Sequence, residues 1–405
     1  MFSFLKDLKS GDRPVLLICF FAFFCNGAVA LILGSVMPDL KLTYNLSDTV
    51  SGIFLSAHSI GNMIAGFTSA LVPLFLGERK SIMLLSSLAF IGLAVMLVTG
   101  NPVLLFLAFV FTGFGRGSVT NFNSRTVNRI TDGSPAASNL LHASFAIGAI
   151  VTPLVFLLLS NLISWRAGVL FVIVCGAVSL FNFSRMKLEN DRPDRRDKAN
   201  RTLCFLKDPA FLFLAGMMFC YLCSEYAING WLVTYIQNKP ELVSAFAAEG
   251  AEVTSAIKAY SQAMATLLWA IMLFGRLGCA VLSAKVHQKK LMFIASLGVA
   301  AFFILMLNSA SVTMVTVSVA GLGLCMAGIC PMIYSDAAPF TNAYPMATSC
   351  LLGIGSVGAI MMPTVVGSLA DHLGFGGGMS AILVTVILLC IFSLLNLKAK
   401  MHELP

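Results

Sequence analysis

Twelve apolar stretches, each long enough to cross a bilayer as a helix, dominate this sequence. A spanning helix takes about 20 apolar residues. Of the 405 residues, 58% are hydrophobic and 11% are charged, which is far from the composition of a soluble domain. The windows lack the alternation of a membrane barrel, so we predict an all-α membrane protein with 12 transmembrane helices. The windows begin near Pro14, Asp48, Ser81, Val103, Pro135, Trp165, Ala210, Tyr260, Leu291, Ser311, Ala347 and Met379.

A repeated phrase divides these windows into two halves. Gly148-Ala149-Ile150 precedes Pro153, and Gly358-Ala359-Ile360 precedes Pro363, 210 residues later. Repeated halves with equivalent Gly and Pro interruptions are typical of secondary transporters. We predict two pseudo-symmetric six-helix bundles, 1–186 and 209–405, joined by a cytoplasmic linker at 187–208. Gly148, Pro153, Gly358 and Pro363 are predicted to be bend points that take part in gating.

The positions of the basic residues predict the orientation in the membrane. With a cytoplasmic amino terminus, 20 of the 26 Lys and Arg residues fall on the cytoplasmic side, in agreement with the positive-inside rule. Four lie outside, and Arg116 and Arg276 stay in the membrane. Both termini are therefore predicted to be cytoplasmic in an inner (plasma) membrane protein. The window from Pro14 to Met37 is too long for a signal-peptide core and is predicted to be a retained helix.

The sequence contains no motif that indicates cofactor chemistry or nucleic-acid binding. Cys220 and Cys223 form a C-x-x-C, but no second pair with adjacent His completes a zinc site, and no phosphate-binding loop is present. We expect neither metal nor other cofactor, and energy from an ion or solute gradient instead of ATP. The basic linker has no interleaved aromatic residues, so no nucleic acid is expected as a partner. No nucleophile, base and oxyanion set converges, so the chain is not predicted to be an enzyme.

Polar side chains in the seventh window form a stripe at mid-membrane depth. Glu225 has Tyr221 and Asn229 one turn to either side on the same helix face. Ionised groups at such depth are costly and usually face a cavity or a partner. Glu225 is therefore a candidate for substrate hydrogen bonding and for ion coupling. The alternative is a carboxylate permanently paired with an Arg that holds the bundle together.

The fourth and eighth windows carry similar stripes. Arg116, Thr120 and Asn123 share one face, as do Gln262, Trp269 and Arg276. A Trp that stacks on a sugar ring, among groups that bind hydroxyls, suits a neutral polyol. A Trp in a membrane helix also serves as plain packing or as an interfacial anchor. Further substrate-site candidates are Asn26 in the first window, His58 and Asn62 in the second, and His142 in the fifth, which has an equally good structural or gating alternative.

The chain resembles the major facilitator superfamily in several phrases. Gly77-Glu78-Arg79-Lys80, after the second window, is a degenerate form of that superfamily's loop signature. Asn139-Leu140-Leu141-His142 with Gly148 and Pro153 is similar to the fifth helix of the fucose, glucose and galactose:proton symporter group, closest to its glucose/mannose transporter and sodium-dependent glucose transporter-like branch. Similar phrases run through Glu225-to-Tyr235, Trp269-to-Leu277 and Pro363-to-Asp371. The resemblance implies a 12-helix transporter with alternating access.

The chain also departs from that group. Where fucose-type members have carboxylates in the first and fourth helices, this sequence has Gly34 and Val119. Asp336 falls where an apolar residue is usual, and no role follows for it. The two carboxylates that take part in proton coupling in fucose-type members are therefore absent from this sequence. Glu225 remains as the main candidate for ion coupling.

The leading functional prediction is an ion-coupled transporter of a monosaccharide or related polyol. The runner-up is an organic-anion transporter or exchanger, because the guanidinium of Arg116 or Arg276 pairs well with a carboxylate. A multidrug exporter would usually have a more apolar cavity, and a sensor that binds without transport has the same sequence signature. The expected partners are a small-molecule substrate, H⁺ or Na⁺, and the lipid bilayer, with a monomeric chain.

Overall fold

The computed structural model describes residues 11–131, 134–186, 204–248, 253–282 and 286–399. Within these ranges the chain is helical and contains no strand. The all-α prediction is confirmed. Most of the predicted linker, at 187–203, lies outside the described residues.

Eleven long helices follow the apolar windows. They are α1 Asp12–Tyr44, α2 Asp48–Leu71, α3 Glu78–Val98, α4 Pro102–Ile130, α5 Pro135–Leu162, α6 Trp165–Arg185, α7 Pro209–Gln237, α8 Val253–Leu282, α9 Gln288–Asn308, α10 Val312–Met326 and α11 Pro345–Lys398. Five short elements lie between them in the described ranges: Pro73–Leu76, the 3₁₀ turn Cys204–Lys207, Pro240–Ala248, Ile329–Asp336 and Ala338–Ala343.

The last helix accounts for the two final windows. α11 has 54 residues, which at 1.5 Å per residue is about 80 Å, against roughly 30 Å for the hydrocarbon core of a bilayer. Gly374 breaks it with a φ of 72°, a value that favours glycine. The two arms therefore supply two crossings. The window that begins near Met379 lies within the second arm, which resumes beyond Gly374, and the window near Tyr260 lies within α8, which begins at Val253.

The described part of the chain contains eleven helices that are long and apolar enough to cross a membrane. Their outward faces carry large apolar side chains that water would disfavour, such as Leu17, Phe67 and Phe274, each about two-thirds exposed. Large apolar side chains exposed on the spanning helices fit a hydrocarbon environment.

The chain forms two compact units. Unit 1 comprises Met1–Leu46 and Ala57–Arg195, and unit 2 comprises Ser47–Ser56 and Arg196–Pro405. In unit 1, α1 packs on α4, α5 and α6, and α3 packs on α4 and α6. In unit 2, α7 packs along α11, and α9 contacts α10 and α11. Helix α2 thus begins in unit 2 and continues in unit 1.

The first turn of α2 is capped by a side chain from α11. The carboxylate of Asp371 accepts the backbone N–H of Asp48 on Oδ1 and that of Thr49 on Oδ2, each at 2.8 Å from the nitrogen. These amides have no acceptor within their own helix. A negative charge at this end also interacts favourably with the helix dipole.

Removing this cap should lower stability. We expect Asp371→Ala to reduce the free energy of unfolding by about 1–2 kcal/mol, the usual effect of losing a helix cap. Asp371→Asn keeps one acceptor oxygen, so its free energy of unfolding should lie between those of the parent protein and Asp371→Ala. The midpoint of thermal unfolding in detergent measures the series. Equal midpoints for the parent and both variants would show that the contact adds no stability.

Candidate functional site

Unit 2 brings the predicted stripes of α7 and α8 together. Tyr221 is buried and lies within electrostatic reach of both Glu225, on its own helix, and Arg276, on α8. Cys330, in the short helix after α10, lies within reach of the same two charges. The cluster therefore combines a carboxylate, a guanidinium, a phenol and a thiol from two long helices and one short one.

The Trp269 side chain is fixed by the α7 stripe. Its indole Nε1 donates a hydrogen bond to Oδ1 of Asn229 at 3.0 Å, and Cζ of Arg276 lies 6.0 Å from the ring centroid. The hydrogen bond holds the ring in one orientation, while the Asn229 amide keeps its two N–H donors. Gln262, further along the α8 face, is fully buried. The arrangement offers an aromatic plane beside hydrogen-bonding groups, which suits a hydroxylated ring.

Unit 1 brings together three other predicted residues. Nδ2 of Asn26, on α1, donates to the Thr120 hydroxyl on α4 at 2.8 Å, and that hydroxyl donates to the Arg116 carbonyl at 3.1 Å. The Arg116 guanidinium lies 5.5 Å from the ring centroid of Phe145, on α5. The charge is thus held against an aromatic face.

Other predicted residues of unit 1 make packing contacts. Asn123 is fully buried and donates to the Cys19 carbonyl at 3.3 Å. His58 is buried with its Nδ1 2.9 Å from the Thr112 hydroxyl. The Asn62 side chain lies against Gly117, where an added Cβ would come within 2.7 Å of its Oδ1. The ring of His142 packs edge-on against Phe23, with centroids 5.6 Å apart.

The repeated Gly phrases lie at close helix contacts. A Cβ on Gly148 of α5 would overlap the carbonyl oxygen of Phe24 on α1, and a Cβ on Gly27 of α1 would overlap the carbonyl oxygen of Phe145 on α5. In unit 2, a Cβ on Gly358 would lie 2.6 Å from the Phe219 carbonyl oxygen. Helices α5 and α11 continue through Pro153 and Pro363. Bending at these positions stays a prediction.

Several polar contacts escaped the sequence analysis. The indole Nε1 of Trp231 donates to the Pro363 carbonyl at 3.0 Å, which ties α7 to the proline of the repeated phrase. Asp336, which had no predicted role, accepts from Nδ2 of Asn396 at 2.8 Å. The Glu78 carboxylate of the signature loop pairs with Arg129 at 3.0 Å. Glu78 begins α3 and Arg129 lies at the end of α4. Their separation in sequence follows no helical repeat, so the sequence alone does not predict that they pair.

The residues that the structure describes include no group of three or more His, Cys, Asp or Glu side chains placed to hold a metal ion. All 11 cysteines are free thiols, and Cys220 and Cys223 are both buried in α7. Their surroundings are apolar, where a thiol acts as a small hydrophobic group.

Long apolar helices that carry a few buried polar side chains are the architecture of membrane transporters of the secondary type. A sequence model of the Major Facilitator Superfamily matches residues 19–277, more than half of the chain, and the protein belongs to that family. A search among curated protein sequences found no significant match.

Solved transporter structures share the fold at low sequence identity. A bacterial homolog of the human lysosomal transporter Spinster, in an inward-facing and occupied conformation, has a TM-score of 0.74 at 16% identity, covering 96% of this chain and 97% of its own. The nucleoside transporter NupG has a TM-score of 0.70 at 14% identity, with coverages of 97% and 100%. A D-xylose-proton symporter has a TM-score of 0.71 at 12% identity, with coverages of 96% and 97%.

Proposed function

We propose that this protein moves a monosaccharide or related polyol across the membrane by alternating access, coupled to a proton or sodium gradient. The observation that carries the proposal is the unit 2 cluster, in which Trp269 is held by Asn229 beside Arg276, and Tyr221 lies within electrostatic reach of Arg276 and Glu225. The fold that this chain shares with a D-xylose-proton symporter also supports the proposal, because it is a fold that carries out such transport.

Each group of the cluster has a chemical role in this proposal. The Trp269 ring stacks on the apolar face of the sugar, and the Asn229 amide donates to its hydroxyls. The Glu225 carboxylate accepts hydroxyl protons and loads the coupling ion. Asn26, Thr120 and Arg116 form a separate polar cluster within unit 1, where Asn26 and Thr120 tie α1 to α4 and the Arg116 guanidinium lies against Phe145.

We also propose a transporter group, an oligomeric state and a membrane orientation for this protein. We place the chain in the fucose, glucose and galactose:proton symporter group, as a monomer in the inner membrane with both termini cytoplasmic. The domains are the two six-helix halves, 1–186 and 209–405. Accessibility labelling of Cys204, the one exposed cysteine and a member of the short 3₁₀ turn before α7, would report the side on which the predicted linker ends.

A ligand screen tests the proposal directly. Purified protein is heated with sugars, polyols, sugar acids and small carboxylates, and unfolding is followed. A ligand at 100 times its dissociation constant should raise the unfolding free energy by about 2.7 kcal/mol. Stabilisation by a neutral sugar or polyol supports the proposal. Stabilisation by carboxylates alone replaces it with the second candidate below.

An organic anion is the second candidate substrate, and Arg276 favours it. Its Nε is buried without a hydrogen bond to the residues that the structure describes, and its NH2 lies 3.8 Å from the Met272 sulfur. Sulfur is a weak acceptor. A guanidinium in such surroundings would gain two strong hydrogen bonds from a carboxylate in fork geometry.

Replacing Arg276 separates the two candidates. Arg276→Gln keeps hydrogen bonding but removes the charge. For a neutral sugar we expect about tenfold weaker binding, equal to about 1.4 kcal/mol. For an anion the loss should be much larger, because a buried carboxylate would lose its counter-charge. Titration calorimetry measures both, with Arg116→Gln as the equivalent change in unit 1. Unchanged affinity for an anion in both variants would exclude the anion site.

A further inference from the structure

A cavity lies in unit 2, at the end where α7 and α9 finish and α11 turns at Gly374. Its volume is about 370 Å³, within the range of small-molecule sites. Polar side chains line most of it, and they include Asn238, Lys239, Glu241, Asn308 and Ser380. None of these residues belongs to the clusters described above. Because α7 ends at Gln237 and α9 at Asn308, the cavity lies just beyond the apolar spans.

Lys239 places a buried positive charge in this cavity. Its side chain is 5% exposed, and its Nζ donates to the Tyr235 hydroxyl at 3.0 Å and to the Leu307 carbonyl at 2.9 Å. An ammonium has three protons to donate. Its ion-pair partner Glu241 is 48% exposed, and the carboxylate oxygen lies 3.8 Å from Nζ, which is too long for a hydrogen bond. The third donor position of Lys239 is therefore incompletely satisfied.

The neighbouring groups offer acceptors. Asn238 and Asn308 turn their N–H₂ groups inward, to the carbonyls of Thr234 and Ile304 at 2.8 and 2.9 Å. The Ser380 hydroxyl donates to the Gly376 carbonyl at 2.7 Å. Each amide keeps one further N–H, and the amide and hydroxyl oxygens of these lining residues are acceptors. A ligand that fits this set carries one anionic group for Lys239 and several hydroxyl donors for the surrounding oxygens.

We propose that this cavity binds a hydroxylated oxyanion, with its phosphate or carboxylate at Lys239 and its hydroxyls on the oxygens of Asn238, Asn308 and Ser380. A lysine ammonium binds phosphate well as a point charge. Burial lowers the pKa of Lys239, and Glu241 offsets part of that effect. An anion in the cavity would stabilise the charged ammonium in the same way. The site is independent of the transport proposal, because binding here needs no transport.

Two sources supply this chemistry. A phosphatidylglycerol headgroup carries a phosphate and two hydroxyls at the depth just beyond the apolar spans, and glycerol 3-phosphate carries the same groups in free form. One arm of the test therefore measures glycerol 3-phosphate by titration calorimetry in neutral detergent. The other counts phosphatidylglycerol retained by native mass spectrometry, with phosphatidylcholine as the reference lipid. Neutral glycerol serves as the ligand control in the first arm.

Three variants locate the site. Lys239→Met removes the charge at similar length and should weaken binding about tenfold or more. Glu241→Gln removes the competing carboxylate and should tighten binding severalfold, an effect that partial unfolding does not produce. Lys290→Met changes an exposed lysine near the start of α9, whose far end borders the cavity, and should leave binding unchanged.

The outcomes divide cleanly. Binding in either arm that follows this pattern supports the site, and the arm that responds identifies the source. The proposal is overturned by three results: no binding in both arms, equal binding of neutral glycerol, or anion binding that neither Lys239→Met nor Glu241→Gln changes. If Lys239→Met fails to fold, Glu241→Gln alone decides, since unchanged or weaker binding in that variant contradicts the assigned contact.

Discussion

Glu225→Gln should reduce gradient-driven substrate accumulation to the level of vesicles without protein. Glu225 lies on α7 one turn from Tyr221 and from Asn229, which holds Trp269. The Gln side chain still accepts and donates hydrogen bonds, but it cannot take up and release a proton or balance a bound cation. Substrate binding should therefore persist while accumulation is lost. Uptake into proteoliposomes, with and without an imposed ion gradient, measures the effect.

Two companion variants sharpen this prediction. Glu225→Asp keeps the charge on a shorter side chain and should restore part of the accumulation. Asp12→Asn removes a carboxylate at the start of α1, outside the cluster, and should leave uptake unchanged. If Glu225→Gln accumulates substrate like the parent protein and with the same pH dependence, then Glu225 has only a packing role.

Gly148→Ala should cost stability even though alanine is the better helix former. The new Cβ would overlap the carbonyl oxygen of Phe24 on α1, which is backbone and cannot rotate away. Overpacking of this kind typically costs about 1–3 kcal/mol. Close approach of membrane helices depends on such small residues. The loss should appear as a lower thermal unfolding midpoint and lower yield of purified protein.

Gly66→Ala is the matched control. Gly66 lies in α2 with nothing within 4 Å of an added Cβ. The same chemical change should there raise stability, by up to about 1 kcal/mol, through helix propensity alone. Opposite signs for the two variants are expected. A Gly148→Ala protein as stable as the Gly66→Ala protein would mean that α1 and α5 separate readily at this contact.

Most of the fold could be predicted from the length of the apolar segments. Windows of about 20 apolar residues located every long helix, because backbone groups in a bilayer must be satisfied within the segment. The helix ends were less accessible. Gly374 turns the chain through a single residue with positive φ, and the glycines at 374 and 376–378 mark the break between two windows without showing which of them turns the chain. α8 extends back to Val253 because its polar first turns lie beyond the apolar stretch that defined the window.

For the candidate site, helical periodicity grouped residues along a helix but did not pair helices. The spacing of Trp269 and Arg276 predicted that they share one face of α8. The hydrogen bond from Trp269 to Asn229 could not be predicted, because it depends on the packing of α8 against α7. Lys239 is a clearer case. In sequence it was one of four basic residues on the outer side, yet it is buried against the Leu307 carbonyl, 68 residues away. Burial of a loop cation depends on tertiary packing that local pattern does not encode.

Transport in proteoliposomes tests the central claim most directly. Purified protein is reconstituted without nucleotide, and the sugar or polyol found in the ligand screen is supplied outside under an imposed proton or sodium gradient. Our account predicts accumulation inside above the external concentration, and collapse to equilibrium when an ionophore removes the gradient. A ligand that binds but never crosses the membrane would contradict it and identify the protein as a sensor. Accumulation that is indifferent to every ion gradient would contradict the coupling assigned to Glu225.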